Sequence, residues 1–317
     1  MVAEFEIQNM HSLQKITFGQ NNGYDYVFKG SDLDWGFAAA NHSTYTYPGQ
    51  IGVSVSSTSV KGKDVTLIGY VYYNLTEDEK YGKTHEEIKQ YAYERILEKK
   101  RVLENIVNPF DNLRVIIGDY YIEGKPNRPI VFSNEESENH EYFCKFLIDI
   151  FCADPMFKKN TLTKKILSRS EGKFIFPWII TDAKYDNILS YRISFDLVEV
   201  ENEGSVTIGG SVILIAKGTV ENPGVENLMN GDRMVINKTL QAGEKIIITT
   251  TDDENKGVKG FRGGIEYNYY KYWNFENDWM KFDIGSTLIG YFADNDTSNM
   301  LDVMIEINPK RYSLEEL

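Results

Sequence analysis

No helix fits residues 204–257. Apolar, largely β-branched runs (Val206–Ile208, Val212–Ile215, Met234–Ile236, Ile246–Ile248) alternate there with turn formers at short, fairly even intervals. The turn formers are Gly209-Gly210, Asn222-Pro223-Gly224, Asn230-Gly231-Asp232, Ala242-Gly243 and Asp252-Asp253. Branched side chains pack well on a pleated surface, while Gly and Asn supply the positive φ of tight turns. Short strands between regularly spaced turns predict a β-sandwich or barrel.

At 317 residues the chain is long for one core and suits two domains. Near the amino terminus Phe5–Ile7, Ile16–Phe18 and Tyr24–Phe28 are short strand candidates separated by Gly or Asn. Val53 and Val55 alternate with small polar residues, which predicts a half-buried strand; Lys61-Gly62-Lys63-Asp64 turns the chain and Val65–Tyr73 returns. The one clear helix spans 84–108. Thr84 and Glu87 form a capping box, and Ile88, Tyr91, Ala92, Ile96, Val102, Leu103, Ile106 and Val107 share one stripe. Pro109 stops it. Such a helix must lie on a sheet, built from the strands before it and from Leu113–Tyr121 and Arg128–Phe132. Tyr142–Cys152 is ambiguous: Phe143, Phe146, Leu147, Ile150 and Phe151 have helical spacing, yet a buried strand would look the same. The apolar pattern breaks at Lys158-Lys159-Asn160-Thr161, which sets domains of 1–157 and 158–317. Lys173–Ile180 and Ile188–Glu199 open the second domain as strands and Leu301–Ile307 closes it. The class is mainly β with one long helix.

An ordered series of short elements carries a family resemblance. Gly218–Pro223 is followed by Leu240, then Gly243-Glu244 leading into Ile246-Ile247-Ile248. Earlier come Lys61-Gly62-Lys63-Asp64 before Val65-Thr66-Leu67, and Asp154-Pro155-Met156-Phe157; Met304–Tyr312 closes the series. Together these resemble the distal tail proteins of long-tailed, non-contractile bacteriophages. The resemblance implies an N-terminal β-sheet or split-barrel domain braced by the helix, a strand at 142–152, and a C-terminal galectin-like β-sandwich. It implies a homo-hexameric ring whose partners are the major tail tube protein, a tail-associated lysin or tip protein, and in some members receptor-binding proteins. The place it implies is the virion tail tip, with synthesis and assembly in the bacterial host cytoplasm. An intact phage, a defective prophage and a phage-derived particle would read alike.

A net charge of −13 argues against nucleic-acid binding, which needs a basic stripe to displace counterions, and against anionic membranes. The start, MVAEFEIQNMHS, is acidic where a signal peptide is basic, and no run reaches the ~20 apolar residues of a membrane span. A soluble chain outside the usual export route is expected. Cys144 and Cys152 lie in one apolar run, roughly 26 Å apart if it is a strand and about 12 Å if it is helical. Buried free thiols are expected, not a disulfide or shared metal. With 21 Tyr and 17 Phe, the chain is either interface-rich or simply a tyrosine-rich β-protein.

Catalytic motifs fail on their neighbours. Gly82-Lys83-Thr84 looks like the end of a phosphate loop, but Glu77 stands where its first glycine belongs, and the acids beside it would repel a triphosphate. Of His11, His42, His85 and His140, only His140 approaches ligand spacing, four before Cys144. Glu276 and Asp278 beside Trp273 and Trp279 are the tempting glycosidase acids, though a local pair does not fix the required separation. Tyr267, Tyr269, Tyr270, Tyr272, Trp273 and Trp279 are candidates for contacting a sugar or a protein partner. Sugar-binding galectins use a histidine-containing pattern, and residues 158–317 contain no histidine. A buried or subunit-facing cluster is the preferred reading. No catalytic residue, metal or cofactor is expected. The favoured function is a structural tail-tip hub; the rival is a β-sandwich carbohydrate-binding module or polysaccharide-acting enzyme.

Overall fold

The structure, a computed structural model, describes residues 4–21, 23–29, 33–35, 38–135, 137–172, 190–194, 197–252 and 255–314. The strand expected over Lys173–Ile180 lies outside them, as does part of Ile188–Glu199. The chain divides into two compact units, residues 1–160 with 312–317, and residues 161–311.

The first unit begins with β1 (Glu4–Asn9), β2 (Lys15–Gly19), β3 (Tyr26–Val27) and β4 (Leu33–Asp34). β5 (Ala40–Tyr45), β6 (Ser54–Val60), β7 (Lys63–Tyr72), α1 (Glu77–Lys80) and α2 (His85–Ile106) follow. It ends with β8 (Leu113–Ile117), β9 (Tyr120–Pro126), β10 (Val131–Phe132), β11 (Asn139–His140), β12 (Phe143–Cys152) and β13 (Phe157–Lys159). The sheet runs β12-β7-β3-β2-β1-β8-β9, and pairing of β9 with β12 at Pro126 and Ile150 closes it into a barrel.

Residues 143–152 are a strand, as the resemblance implied, in unbroken antiparallel register with β7 from Phe143↔Tyr72 to Cys152↔Lys63. Cys144, Phe146, Ile148, Ile150 and Cys152 enter the core with Val65, Leu67 and Val71. Side chains alternate between faces, so Asp149 lies on the other face, accepting from Thr66 Oγ1 at 2.9 Å. Leu314, near the end of the chain, joins this core.

α2 starts as its capping box requires: the Glu87 carboxylate accepts from the Thr84 N–H at 2.7 Å, and Thr84 Oγ1 accepts from the Glu87 N–H at 3.4 Å. Thr76 and Glu79 repeat the device at α1, which the sequence reading missed. Ala92, Ile96, Leu103 and Ile106 form the buried face of α2. Val102, expected in the stripe, falls on its flank and is exposed. Tyr26 Oη donates to the Lys99 carbonyl at 3.1 Å, and Lys99 Nζ to the Tyr72 carbonyl at 3.0 Å, fastening helix to barrel.

One expectation fails here. Val53 and Val55 are exposed, and β6 pairs with the preceding β5, not with β7. β5 and β6 form a sheet of their own. Alternation marks a strand with two unlike faces; it does not establish that a core lies behind either.

The second unit contains β14 (Thr163–Gly172), β15 (Ser190–Ser194), β16 (Leu197–Asn202), β17 (Gly210–Ala216), β18 (Glu221–Asn227) and β19 (Arg233–Val235). β20 (Lys245–Thr249), β21 (Gly257–Arg262), β22 (Ile265–Asn268), β23 (Gly285–Asp294) and β24 (Leu301–Ile307) complete it. They make two sheets, β15-β14-β24-β17-β20-β21-β22 and β16-β23-β18-β19. Leu214, Ile246, Ile248 and Val303 from the first meet Val200, Val225, Met234 and Ile289 from the second in one core.

Gly231 and Gly243 take positive φ in the expected turns. Asn222-Pro223-Gly224 is not a turn: it lies inside β18, where the register against β23 slips between Glu221 and Gly224 and Asn222 adopts φ 44°. The same residue types here absorb an extra residue as a β-bulge. Gly209-Gly210 does not reverse the chain either; a Cβ on Gly209 would lie 2.1 Å from the Thr250 carbonyl oxygen, so close backbone approach requires glycine. Asp253, of the Asp252-Asp253 pair, lies outside the described residues.

Candidate functional site

The six aromatic candidates fall into two stacks at the β22 end of the larger sheet. Leaving β22, the chain makes a short 3-10 turn over Tyr270–Tyr272. The Trp273 and Trp279 rings lie 4.4 Å apart between centroids at 15°, and Tyr270 continues the column 6.3 Å from Trp279, again at 15°. Phe275 adds an edge contact to Tyr270 at 6.4 Å. Exposure rises along this column from buried Trp273 to Tyr270 at 41% and Phe275 at 81%. In the second stack, buried Tyr269 meets Tyr272 edge-on at 5.3 Å and Tyr267 at 6.1 Å. Tyr269 and Trp273 are therefore core residues, and the accessible rings are Tyr267, Tyr270 and Phe275. Phe275 was missed by the sequence reading.

Beneath Tyr269 lies the buried Glu244 carboxylate, which accepts from Lys238 Nζ and the Gln241 N–H, both at 2.9 Å. Burial alone would raise its pKa; those two donors and the nearby Arg262 outweigh it and hold the carboxyl below its ordinary value. Tyr269 Oη reaches its other oxygen at 3.5 Å, so the carboxylate ties the 238–244 turn to the aromatic cluster and acts as a structural support.

A cleft of about 520 Å³ opens beside the stacks, lined by Lys256, Lys259, Glu266, Tyr267, Asn268 and Tyr270 among others. Glu276 and Asp278 are exposed on the following loop and do not line it.

The other motifs resolve into local structure. Glu77 starts α1, and Lys83 Nζ sits 3.9 Å over the Tyr91 ring, away from any phosphate loop. His140 contacts the Glu141 carboxylate at 2.7 Å and stacks on Phe143. Among the described residues no three His, Cys, Asp or Glu side chains gather to hold a metal ion.

A second candidate surface is the β5–β6 arm. Every residue of β5 is exposed, as are all of β6 except Ser54. Tyr45 faces Ser54 across the pair and Val55 faces Thr44, so apolar side chains stand on both faces. Tyr47, Ile51 and Val53 extend the apolar surface around the tip. The sequence held a usable signal: residues 38–60 contain no Asp, Glu, Lys or Arg in a chain that is 26% charged.

No protein-family model matches the chain, and no curated protein matches it. Among solved structures it is similar to the SPP1 Dit protein (gp 19.1), described as a paradigm of the hub adsorption apparatus in phages infecting Gram-positive bacteria. The TM-score is 0.55 at 9% identity, over 96% of this chain and 98% of that one. The chain shares the fold of a phage hub protein. Two chains from the phage P2 baseplate in its activated conformation, one with Ca and one with Sr, are 14% identical with TM-scores of 0.43 and 0.39; they cover 96% of this chain and 98% and 97% of their own.

Proposed function

We propose that the chain is a non-enzymatic structural protein of a phage or prophage tail tip, forming a hexameric hub between the tail tube and the tip or adhesion apparatus. In this reading the barrel unit builds the ring and the second unit is a galectin-like sandwich that serves adhesion. Its partners are further copies of itself, the major tail tube protein, a tail-associated lysin or tip protein, and receptor-binding proteins. Its place is the virion tail tip, after assembly in the host cytoplasm.

The observation that carries the reading is the uncharged arm. A lone two-stranded ribbon is marginal in water, and strand edges without charges invite pairing with another chain. Cyclic packing of identical copies covers such a surface without leaving an open end. The similarity in fold to SPP1 Dit across both units supports the same conclusion. The test is light scattering and negative-stain imaging of the chain, alone and co-expressed with its neighbouring tail proteins. Six-fold rings of about six times 36.5 kDa are expected in at least one condition. A monomer in both overturns the proposal.

A further inference from the structure

We propose that the cleft beside Tyr270 is a binding site for a neutral carbohydrate. The proposal goes beyond the hub assignment and does not depend on how the barrel unit assembles.

Three observations converge on this ligand class. The first is the ring column. Tyr270 is half-exposed at the cleft, yet backed by Trp279, which is backed in turn by core Trp273. A ring anchored in this way offers an apolar surface with little conformational entropy left to lose on binding. The C–H faces of a pyranose fit such a ring.

The second is the charge of the walls. Lys259 Nζ pairs with the Glu266 carboxylate at 3.1 Å, and Lys256 Nζ with Asp252 at 2.9 Å. The cationic groups are already neutralised by neighbours, so the cleft offers hydrogen bonding without net attraction for a phosphate or an acidic peptide. Paired carboxylates and ammonium groups can still accept from and donate to hydroxyls. Asn268 adds an amide whose Oδ1 accepts from the Tyr270 N–H at 2.9 Å, which orients it and leaves the Nδ2 hydrogens to donate.

The third is size. At about 520 Å³ the cleft falls within the range of small-ligand sites.

The experiment uses the full chain on an array of neutral and acidic glycans, followed by tryptophan-fluorescence titration with the retained neutral oligosaccharides. Retention of at least one neutral glycan is expected, with a change in emission because Trp279 stacks directly behind Tyr270. Tyr270→Ala should weaken that binding at least about tenfold, as loss of a stacking ring does, while Tyr270→Phe keeps the ring and stays within about threefold. Asn255→Ala, altering a separate wall residue, should weaken it as well. All three variants should keep the wild-type thermal midpoint and form the same assemblies as the parent. Retention of no neutral glycan, or of phosphorylated or sulphated glycans only, overturns the proposal. So does a Tyr270→Ala chain that binds glycan normally but no longer enters particles, since Tyr270 would then be contacting protein. Failure of every variant and the parent to form rings bears on the hub assignment alone.

Discussion

Asn9 Nδ2 donates to the carbonyl oxygen of Ile106 at 3.0 Å, joining the end of β1 to the end of α2. The same amide donates to Asp111 at 2.9 Å, and its Oδ1 accepts from the His11 and Ser12 N–H groups at 2.8 and 2.9 Å. Asn9 is fully buried, and helix C-terminal carbonyls lack intrahelical donors. Asn9→Ala strands several polar groups at once and should cost about 2–4 kcal/mol. In urea unfolding the loss should appear in the transition of the barrel unit, with that of the second unit unmoved. A shift below about 0.5 kcal/mol, typical of surface sites, would remove Asn9 from this role.

Cys144 and Cys152 both point into the barrel core from β12. Burial pushes the Cys152 thiol up to about 12, and Lys63, its cross-strand partner, draws it only partly back. Thiolate, the reactive form, is then nearly absent at pH 8. The native chain should give no prompt reaction with an aromatic disulfide reagent, and both thiols should react after denaturation. Prompt labelling of either in the native state would mean that β12 frays from β7.

Much of this architecture is written in periodicity, and its failures share one physical cause. Thr84 and Glu87 announce a helix because capping is local, and the isoleucines at 246–248 announce a strand because β-branching is local. What stands behind a strand is not local. Val53 and Val55 alternate like a half-buried strand but are exposed, while within the aromatic cluster read as buried or subunit-facing the rings of Tyr269 and Trp273 are core. Asn222-Pro223-Gly224 shows the same limit, since a bulge and a turn draw on the same residue types and only the partner strand distinguishes them. At the cleft the clustering of aromatics was readable, but not which rings face out, nor that Phe275 joins them.

Glu244 gives a pH-dependent test of the second unit. Its carboxylate is buried against Lys238 and its pKa lies below the ordinary 4.5. A carboxyl with a depressed native pKa binds fewer protons folded than unfolded, so its stabilisation is complete above 4.5 and is lost as pH falls toward the native value. Glu244→Gln breaks a buried pair and should cost about 3 kcal/mol at pH 7. The gap between wild type and variant should narrow steadily below pH 4.5. A gap unchanged down to pH 3 would place the stabilisation in some group other than this carboxylate.

The arm allows stability and assembly to be separated. Tyr45 and Val55 are exposed on opposite faces of a ribbon whose two strands, among the described residues, pair with each other, and neither belongs to the barrel core. Tyr45→Lys and Val55→Lys should each leave barrel unfolding within about 0.5 kcal/mol of wild type. Lysine on a strand edge is also a natural guard against intermolecular pairing. Both variants should therefore give soluble, folded chains that no longer form rings or enter particles, whereas Ser57→Thr, which adds neither charge nor a large side chain, should assemble normally. Sedimentation velocity of the three variants beside the parent separates the outcomes. If the two lysine variants assemble as the parent does, the arm is not the contact surface of the proposed ring.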